Sequence, residues 1–478
     1  MNGRQRLLIV GNGMAGGRLL DDLLARGAAD QFAITVVGEE PRGEYNRIML
    51  SRVVAGADPD EITTKPQGWY AKHGIELISG RWVQRLDTRA GVALIGNRDV
   101  VPYDRCVLAT GSSSWIPPIT GARQTDGSLT PGVHVFRTME DCLAIRAETD
   151  PAAGQREVVV LGGGLLGLEI AKKFADLGHR ATVVHVGHTL MDTQLDRIGG
   201  AIVQRAIESM GIRVVYGQTD AVLAKAHVEA LAMADGRHIP ADTVVFATGS
   251  RPRIETAAAS KIEVNRGVVV DDRLTTSSPR VSAIGECAEH DGVTYGLVAP
   301  CWEQARTLSD LLTCADPTAR YRGSKVYSRL KVAGVDVASM GPIEARDDDE
   351  VVQVIEERRG VYRKLVVRNG TIAGAVVVGD PESTPSLVQL FDQGGRLPVN
   401  PIDIFCSANG FQPPEAEPSD ELCNCNRVSR ETIVNAIETG CDTLETLQFA
   451  TRAGTGCGTC IHRLTELLDC AASAGAVV

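Results

Sequence analysis

The sequence has no excess of positive charge: 49 Lys and Arg stand against 60 Asp and Glu, a formal net charge of −11. That balance argues against nucleic acid or an anionic membrane as the main partner. No apolar stretch approaches the roughly twenty residues that a membrane-spanning helix requires. There is no low-complexity tract, and 44% apolar with 23% charged residues is ordinary for a globular protein. No export signal is expected either. "MNGRQRLLIVGNGMAGGRLL" sets basic residues before an apolar run, but the run is short and leads into glycines, as a folded element would. The expected compartment is the cytoplasm, where the 12 cysteines would be reduced thiols or metal ligands rather than disulfides.

What is present is glycine, 50 residues of it, in a chain of 478 residues whose length implies about three domains. Two segments repeat one pattern. "RLLIVGNGMAGGRLLDDLLARG" and "EVVVLGGGLLGLEIAKKFADLGH" each give an apolar strand, G-x-G-x-x-G, an amphipathic helix and a glycine stop. Each leads into a further apolar strand, "FAITVVGEE" and "RATVVHVGH", so the motif sits in a β-α-β context. A second repeat, "CVLATGSSSWIPP" and "VVFATGSRPR", ends a buried strand in Ala-Thr-Gly and singles out Thr110, Gly111 and Gly249. Gly11 and Gly162 would make the tight turn, Gly13 and Gly164 would admit a pyrophosphate, and Gly16 and Gly167 would let helix pack on strand. The pyrophosphate then meets the helix N-terminus, where unpaired N–H groups favour an anion. Glu39 or Glu40, ending the second strand, would accept ribose hydroxyls. At the matching place in the second repeat stands His185, which offers neither a carboxylate for the 2′-hydroxyl nor a firm clamp for a 2′-phosphate, and no arginine stands there. NADH is the preferred expectation, and His188 is expected to be a solvated loop residue.

After residue 320 the texture changes to short strand-like runs with a hairpin signal, "RNG". A Pro- and Glu-rich stretch, "ANGFQPPEAEPSDEL", reads as a linker. The tail then holds Cys423 and Cys425 in Cys-x-Cys and Cys457 and Cys460 in Cys-x-x-Cys, with two short helices between. Ser429 is expected to cap the first helix, and Asp442 with Glu445 to form a capping box on the second. Ile433, Ala436, Ile437, Leu444 and Leu447 would supply a small core. Four paired thiolates suit structural zinc or a [2Fe–2S] cluster. The Cys-x-Cys half leans toward the cluster, and the spacing by itself leaves both open.

The tandem folds resemble the two-dinucleotide-binding-domain flavoprotein disulfide reductase superfamily. That resemblance implies FAD in the first domain and NAD(P)H in the second, with "RVSAIGECAEHDG" returning to complete the flavin site through Glu286. It further implies that "EYNRIMLSR" lies near the flavin ring through Arg47 and Arg52, that Thr110 and Gly111 touch FAD, and that Val83 makes a backbone contact to adenine. Glu169, in "GLLGLE", matches a carboxylate that meets the nicotinamide amide and is the one side chain given a catalytic, orienting role. Disulfide reductases place cysteine against the flavin, whereas "YNRIMLS" contains none. Cys106, Cys142, Cys287, Cys301, Cys314 and Cys406 are therefore read as buried small hydrophobes.

The tail, "LCNCNRVSRETIVNAI" through "TRAGTGCGTC", resembles the bacterioferritin-associated-ferredoxin type of [2Fe–2S] domain, which makes Cys423, Cys425, Cys457 and Cys460 the cluster ligands and leaves Cys441 and Cys470 out. With "EEPRGEYNRIMLS", "HTLMDTQLD", "AIGECAEHDGVTYGLVAP" and "LKVAGVDVASMG", the whole chain resembles one family. It comprises the N-terminal half of the NAD(P)H nitrite reductase large subunits and the electron-transfer subunit of assimilatory nitrate reductase. The nitrite reductases continue into a sirohaem and [4Fe–4S] region that this sequence does not show, so nitrite reduction by this sequence alone is not expected. The resemblance implies electron flow from NAD(P)H to FAD to [2Fe–2S] to a partner, a molybdenum nitrate reductase catalytic subunit or another acceptor protein. Two alternatives are a flavin and iron–sulfur subunit of an amine-type dehydrogenase, and a regulatory module holding zinc.

The expected fold is α/β. It comprises an FAD-binding domain (1–138 and 270–320), an NAD(P)H-binding domain (139–269), a small α+β interface domain (321–410), a linker (411–420) and a small helical cluster domain (421–478).

Overall fold

The strand Gln5–Val10 is apolar enough to be buried on both faces, and a strand of that kind belongs inside a parallel sheet covered by helices. The structure is a computed structural model that describes residues 3–96, 99–332, 334–398, 400–406, 421–423, 428–454 and 460–475. In it the chain divides into two compact units, Met1–Ser324 and Lys325–Val478.

The first unit contains two five-stranded sheets whose described pairings are all parallel. One runs, in spatial order, Val281–Ala283, Arg105–Leu108, Gln5–Val10, Phe32–Gly38 and Glu76–Ser79. The other runs Val133–Val135, Thr243–Phe246, Glu157–Leu161, Arg180–His185 and Arg213–Tyr216. The orders correspond strand for strand, so the repeated motifs seed a repeated architecture. The likeness extends further: the second strand of each sheet in this spatial order is entered from a three-stranded antiparallel meander, 83–102 in one case and 219–240 in the other. The strands that follow the two Ala-Thr-Gly segments, Ser112–Ser114 and Ser250–Pro252, then pair antiparallel with each other.

The helix Met14–Ala25 packs against the late helix Val298–Thr313 beside the first sheet. Leu19, Leu20 and Leu23 are fully buried in a core shared with Ile9, Val107, Val281 and Leu308. Each such side chain contributes about 1.5–3 kcal/mol on leaving water. Val281–Ala283 reaches this sheet from far along the chain, pairing with Cys106–Leu108.

In the second unit, five strands form an antiparallel sheet ordered Tyr327–Val332, Val335–Met340, Thr371–Val378, Val361–Arg368 and Glu350–Glu356. The expected hairpin turn falls at Asn369 and Gly370, both with positive φ (52° and 73°), which suits Asn-Gly. The helix Thr384–Gln393 covers one face through Leu387, Val388, Leu390 and Phe391.

The tail departs from expectation in three ways. It has three helices among the described residues rather than two, the third being Ile461–Gly475. Cys423 ends a short strand, Glu421–Cys423, instead of lying in a loop. The second capping box belongs to Thr443 and Thr446, not Asp442 and Glu445: the Thr443 hydroxyl accepts the Thr446 N–H at 3.2 Å, and Thr446 Oγ1 accepts the Thr443 N–H at 3.1 Å. A threonine pair one residue along satisfies the same two N–H groups. Ser429 does cap the helix Arg430–Glu438, and Ile433 and Leu447 sit in the tail's core. No helix among the described residues is long and apolar enough to cross a membrane.

Candidate functional site

Each glycine loop is built by close approach. Gly11 has φ 111°, and a Cβ there would stand 2.1 Å from the Ala109 carbonyl oxygen; a Cβ on Gly16 would stand 2.5 Å from that of Gly11. Gly162 and Gly167 repeat this, at 2.2 Å from Ala247 O and 1.9 Å from Gly162 O. Only hydrogen fits at these four positions, which clamps turn, helix and strand together. The middle glycines differ. Gly13 and Gly164 are extended N-caps, with no side chain capping the helices Met14–Ala25 and Leu165–Asp176. A Cβ on Gly164 would meet nothing within 4 Å, and one on Gly13 would meet only the Arg47 guanidinium, at 3.5 Å. The first-turn N–H groups of both helices have no side-chain cap, which fits a dinucleotide pyrophosphate.

Around the first loop the structure gathers charge. Arg47 pairs with Glu40, donates to the Arg137 carbonyl at 3.1 Å and lies 5.0 Å over the Tyr45 ring. Burial pushes the Glu40 carboxyl up, but Arg47 and the Tyr45 hydroxyl, which donates at 2.6 Å, outweigh it and leave its pKa lowered. Glu286, in the turn Gly285–Cys287, pairs with Arg137 and accepts from the Ser112 hydroxyl. Arg137 Nε is buried without a hydrogen-bond partner among the described residues, a donor left for a ligand. Gly285, with φ 84°, lies against Ala15, where a Cβ would stand 2.8 Å from that side chain, and its N–H donates to Gln304 at 2.7 Å. The late turn is thereby pinned to the start of the glycine-loop helix.

Glu39 pairs with Arg253. Arg52 pairs with Glu61 at 2.9 Å, both about half exposed. The Val83 carbonyl accepts from the Thr256 hydroxyl at 2.8 Å. Thr110 donates its hydroxyl to Arg253 O at 2.9 Å, while Gly111 and Gly249 have positive φ and open space around them.

At the second loop, Glu169 accepts from the Ser51 hydroxyl. His185 is buried with its ring against Gly163, and His188 is exposed. The cysteines Cys106, Cys142, Cys287 and Cys301 are buried, and burial raises every one of these thiols. Cys314 is a correction: it is exposed, at the left-handed C-cap that ends its helix. The side chain of Cys406 lies outside the described residues.

Of the four expected cluster ligands, Cys423 and Cys460 are both buried in one small core with Val428, Ile433, Leu447, Ala453 and Leu464. Cys425 and Cys457 lie outside the described residues. One member of each pair thus converges on one core, and an all-thiolate donor set drawn from two such pairs fits a [2Fe–2S] cluster. Cys441 packs at the margin of that core and Cys470 is exposed.

Sequence reasoning missed Arg137, Ser112, Gln304, Arg253 and Ser51. Arg137 and Gln304 lie outside every motif, while Ser51, Ser112 and Arg253 lie inside motif segments whose pattern does not mark them as partners.

Three family models match successive parts of the chain. Residues 5–306 match the pyridine nucleotide-disulphide oxidoreductase model, 327–394 the rubredoxin NAD+ reductase C-terminal domain, and 422–469 the BFD-like [2Fe-2S] binding domain. The chain is 37% identical to an NAD(P)H nitrite reductase of Bacillus subtilis over 98% of its own length and 58% of that protein's. It is 35% identical to an assimilatory nitrate reductase electron transfer subunit of the same organism, over 97% and 59%. The chain thus spans under two thirds of either relative. Among solved structures, a ferredoxin reductase from Rhodopseudomonas palustris superposes with TM-score 0.70 at 25% identity, covering 79% of this chain and 91% of that one.

Proposed function

The chain belongs to the pyridine nucleotide-disulphide oxidoreductase family and carries a BFD-like [2Fe-2S] binding domain, and from that premise we propose that it carries electrons from NAD(P)H to an acceptor reductase of nitrate assimilation. FAD, NAD(P)H and a [2Fe–2S] cluster are the cofactors such a chain takes. When bound they supply hydride transfer from nicotinamide to flavin and single-electron carriage by the cluster.

The chain's own residues bind and position. The uncapped helix at Gly13, with Arg47, Arg137 and Glu286, would hold FAD; the uncapped helix at Gly164 would hold the nicotinamide dinucleotide, with Glu169 orienting the nicotinamide amide. Cys423, Cys425, Cys457 and Cys460 would hold the cluster. In this reading 1–138 with 270–320 form the FAD domain, 139–269 the NAD(P)H domain, 321–410 an interface domain, 411–420 a linker and 421–478 the cluster domain. The pairing of Val281–Ala283 with the first sheet supports the discontinuous first assignment.

The observation that carries the proposal is the contrast in cysteine placement. The segment Glu44–Arg52 has none, so a flavin there has no thiol acceptor, while Cys423 and Cys460 share a buried core. The electron transfer subunit named among the relatives points to a nitrate reductase catalytic subunit as acceptor, and the reducing cytoplasm is the compartment that suits thiolate cluster ligands.

The test is an EPR spectrum of the purified chain frozen after anaerobic addition of NADH or NADPH. A reduced [2Fe–2S] signal would join nucleotide, flavin and cysteines in one route. A flavin that stays oxidised with both nucleotides would instead identify a flavin and cluster subunit of a substrate dehydrogenase, with electrons entering elsewhere.

A further inference from the structure

The strand Arg180–His185 ends where a dinucleotide fold reads the adenosine ribose, and its last residue is not an acid. The structure shows what stands there instead. His185 is 8% exposed, and its Nδ1 accepts the Gly163 N–H at 3.2 Å. With Nδ1 accepting, the neutral ring carries its proton on Nε2, a tautomer assigned from that bond. Nε2 is buried and has no hydrogen-bond partner among the described residues, while Asp192 Oδ2 lies 3.4 Å from it, too far for a good bond. Gly187 lets the two side chains close in on each other: a Cβ there would stand 2.3 Å from Asp192 Oδ2 and 2.7 Å from His185 Nε2. The loop is fixed to the glycine motif, because Met191, with φ 54°, donates its N–H to Gly163 O at 2.9 Å.

We propose that His185 and Asp192 together read the cofactor's ribose and select NADH over NADPH, Asp192 supplying the carboxylate that the strand end lacks. A donor and an acceptor left unjoined suit a hydroxyl, which can accept from His185 Nε2–H and donate to Asp192. A 2′-phosphate dianion has no proton to give Asp192 and brings like charge to its carboxylate. Asp192 is seven residues beyond the strand end and 44% exposed; it falls within "HTLMDTQLD", but the dinucleotide-fold pattern looks for an acid at the strand end and not there.

This inference rests on the second glycine loop binding a nicotinamide dinucleotide, and the experiment separates the two. Binding of ADP-ribose and of 2′-phospho-ADP-ribose to the full chain is measured by calorimetry for wild type, Asp192→Asn and Asp192→Lys, with anaerobic flavin bleaching by NADH and NADPH alongside. Asp192 is exposed enough for both variants to fold, which the melting curve checks. Wild type is expected to favour ADP-ribose by about tenfold or more, Asp192→Asn to bring the two within about threefold, and Asp192→Lys to reverse the order. An unchanged preference in both variants, or a wild type that prefers the 2′-phosphate, overturns the assignment while leaving the nucleotide site standing. Failure of wild type to bind either ligand overturns the site itself.

Discussion

The Ser51 hydroxyl donates a hydrogen bond to the Glu169 carboxylate across 118 residues of sequence. Ser51 lies on the short helix Leu50–Val54, directly after the segment proposed to face the flavin, and Glu169 lies in the second turn of the glycine-loop helix Leu165–Asp176. One side-chain bond thus ties the proposed flavin segment to the proposed nicotinamide helix. Burial raises the Glu169 pKa, with Ser51 and Lys173 pulling it back only in part.

A raised folded-state pKa fixes the sign of a pH effect. Protonated Glu169 favours the folded chain below its ordinary value of 4.5, and that contribution is lost as pH rises through the raised value. Glu169→Gln is expected to lose less stability than wild type on going from about pH 4.5 to about pH 7, measured by urea unfolding. Ser51→Ala removes a bond that favours the charged form, and its stability should fall more steeply over the same interval. Parallel curves for all three proteins would refute this account.

The glycines divide into two classes with opposite outcomes. Gly11→Ala and Gly162→Ala force a Cβ to within about 2 Å of a carbonyl oxygen at a left-handed φ, so each should cost about 3 kcal/mol or more. Gly164→Ala meets open space and should leave the melting temperature near that of wild type while weakening nucleotide binding about tenfold, or about 1.4 kcal/mol. Melting curves and a nucleotide titration read the two effects separately.

Arg47→Met leaves Glu40 partly buried without its cation. The expected loss is about 1–3 kcal/mol of stability, together with loss of bound flavin. Adding Glu40→Gln should restore most of the stability but not the flavin, because the stability term belongs to the pair and the flavin term to Arg47. Denaturant titration with flavin absorbance distinguishes them.

Iron and acid-labile sulfide should each be about two per chain in wild type and near zero in Cys423→Ser or Cys460→Ser. Cys441→Ser and Cys470→Ser should keep both, since neither sits with the buried pair. Zinc in place of iron in the wild-type protein would make the tail a structural module and end the electron-transfer reading.

The glycine loops, both parallel sheets, the Asn369–Gly370 turn and the Ser429 cap were legible because each rests on a local rule. A positive φ, a helix N-terminus or a strand buried on both faces constrains residue type within a few positions. The second capping box slipped by one residue because threonine, aspartate and glutamate serve the same N–H groups and the pattern does not choose among them. Cys314 was misplaced for a related reason: apolar context in sequence does not show that a helix ends there in a left-handed residue.

The pair of dinucleotide folds and the fourfold cysteine set are thus written in local order, since spacing along the chain is their geometry. Which polar groups face them follows from how distant segments pack. Arg137 meets Glu286 across 149 residues, Arg253 meets Glu39 across 214, and Asp192 stands by His185 because a loop folds back on Gly163. Such partners leave no periodicity, for the contacts that place them arise from how elements pack, and packing constrains shape and charge at a point in space, not at an interval in sequence.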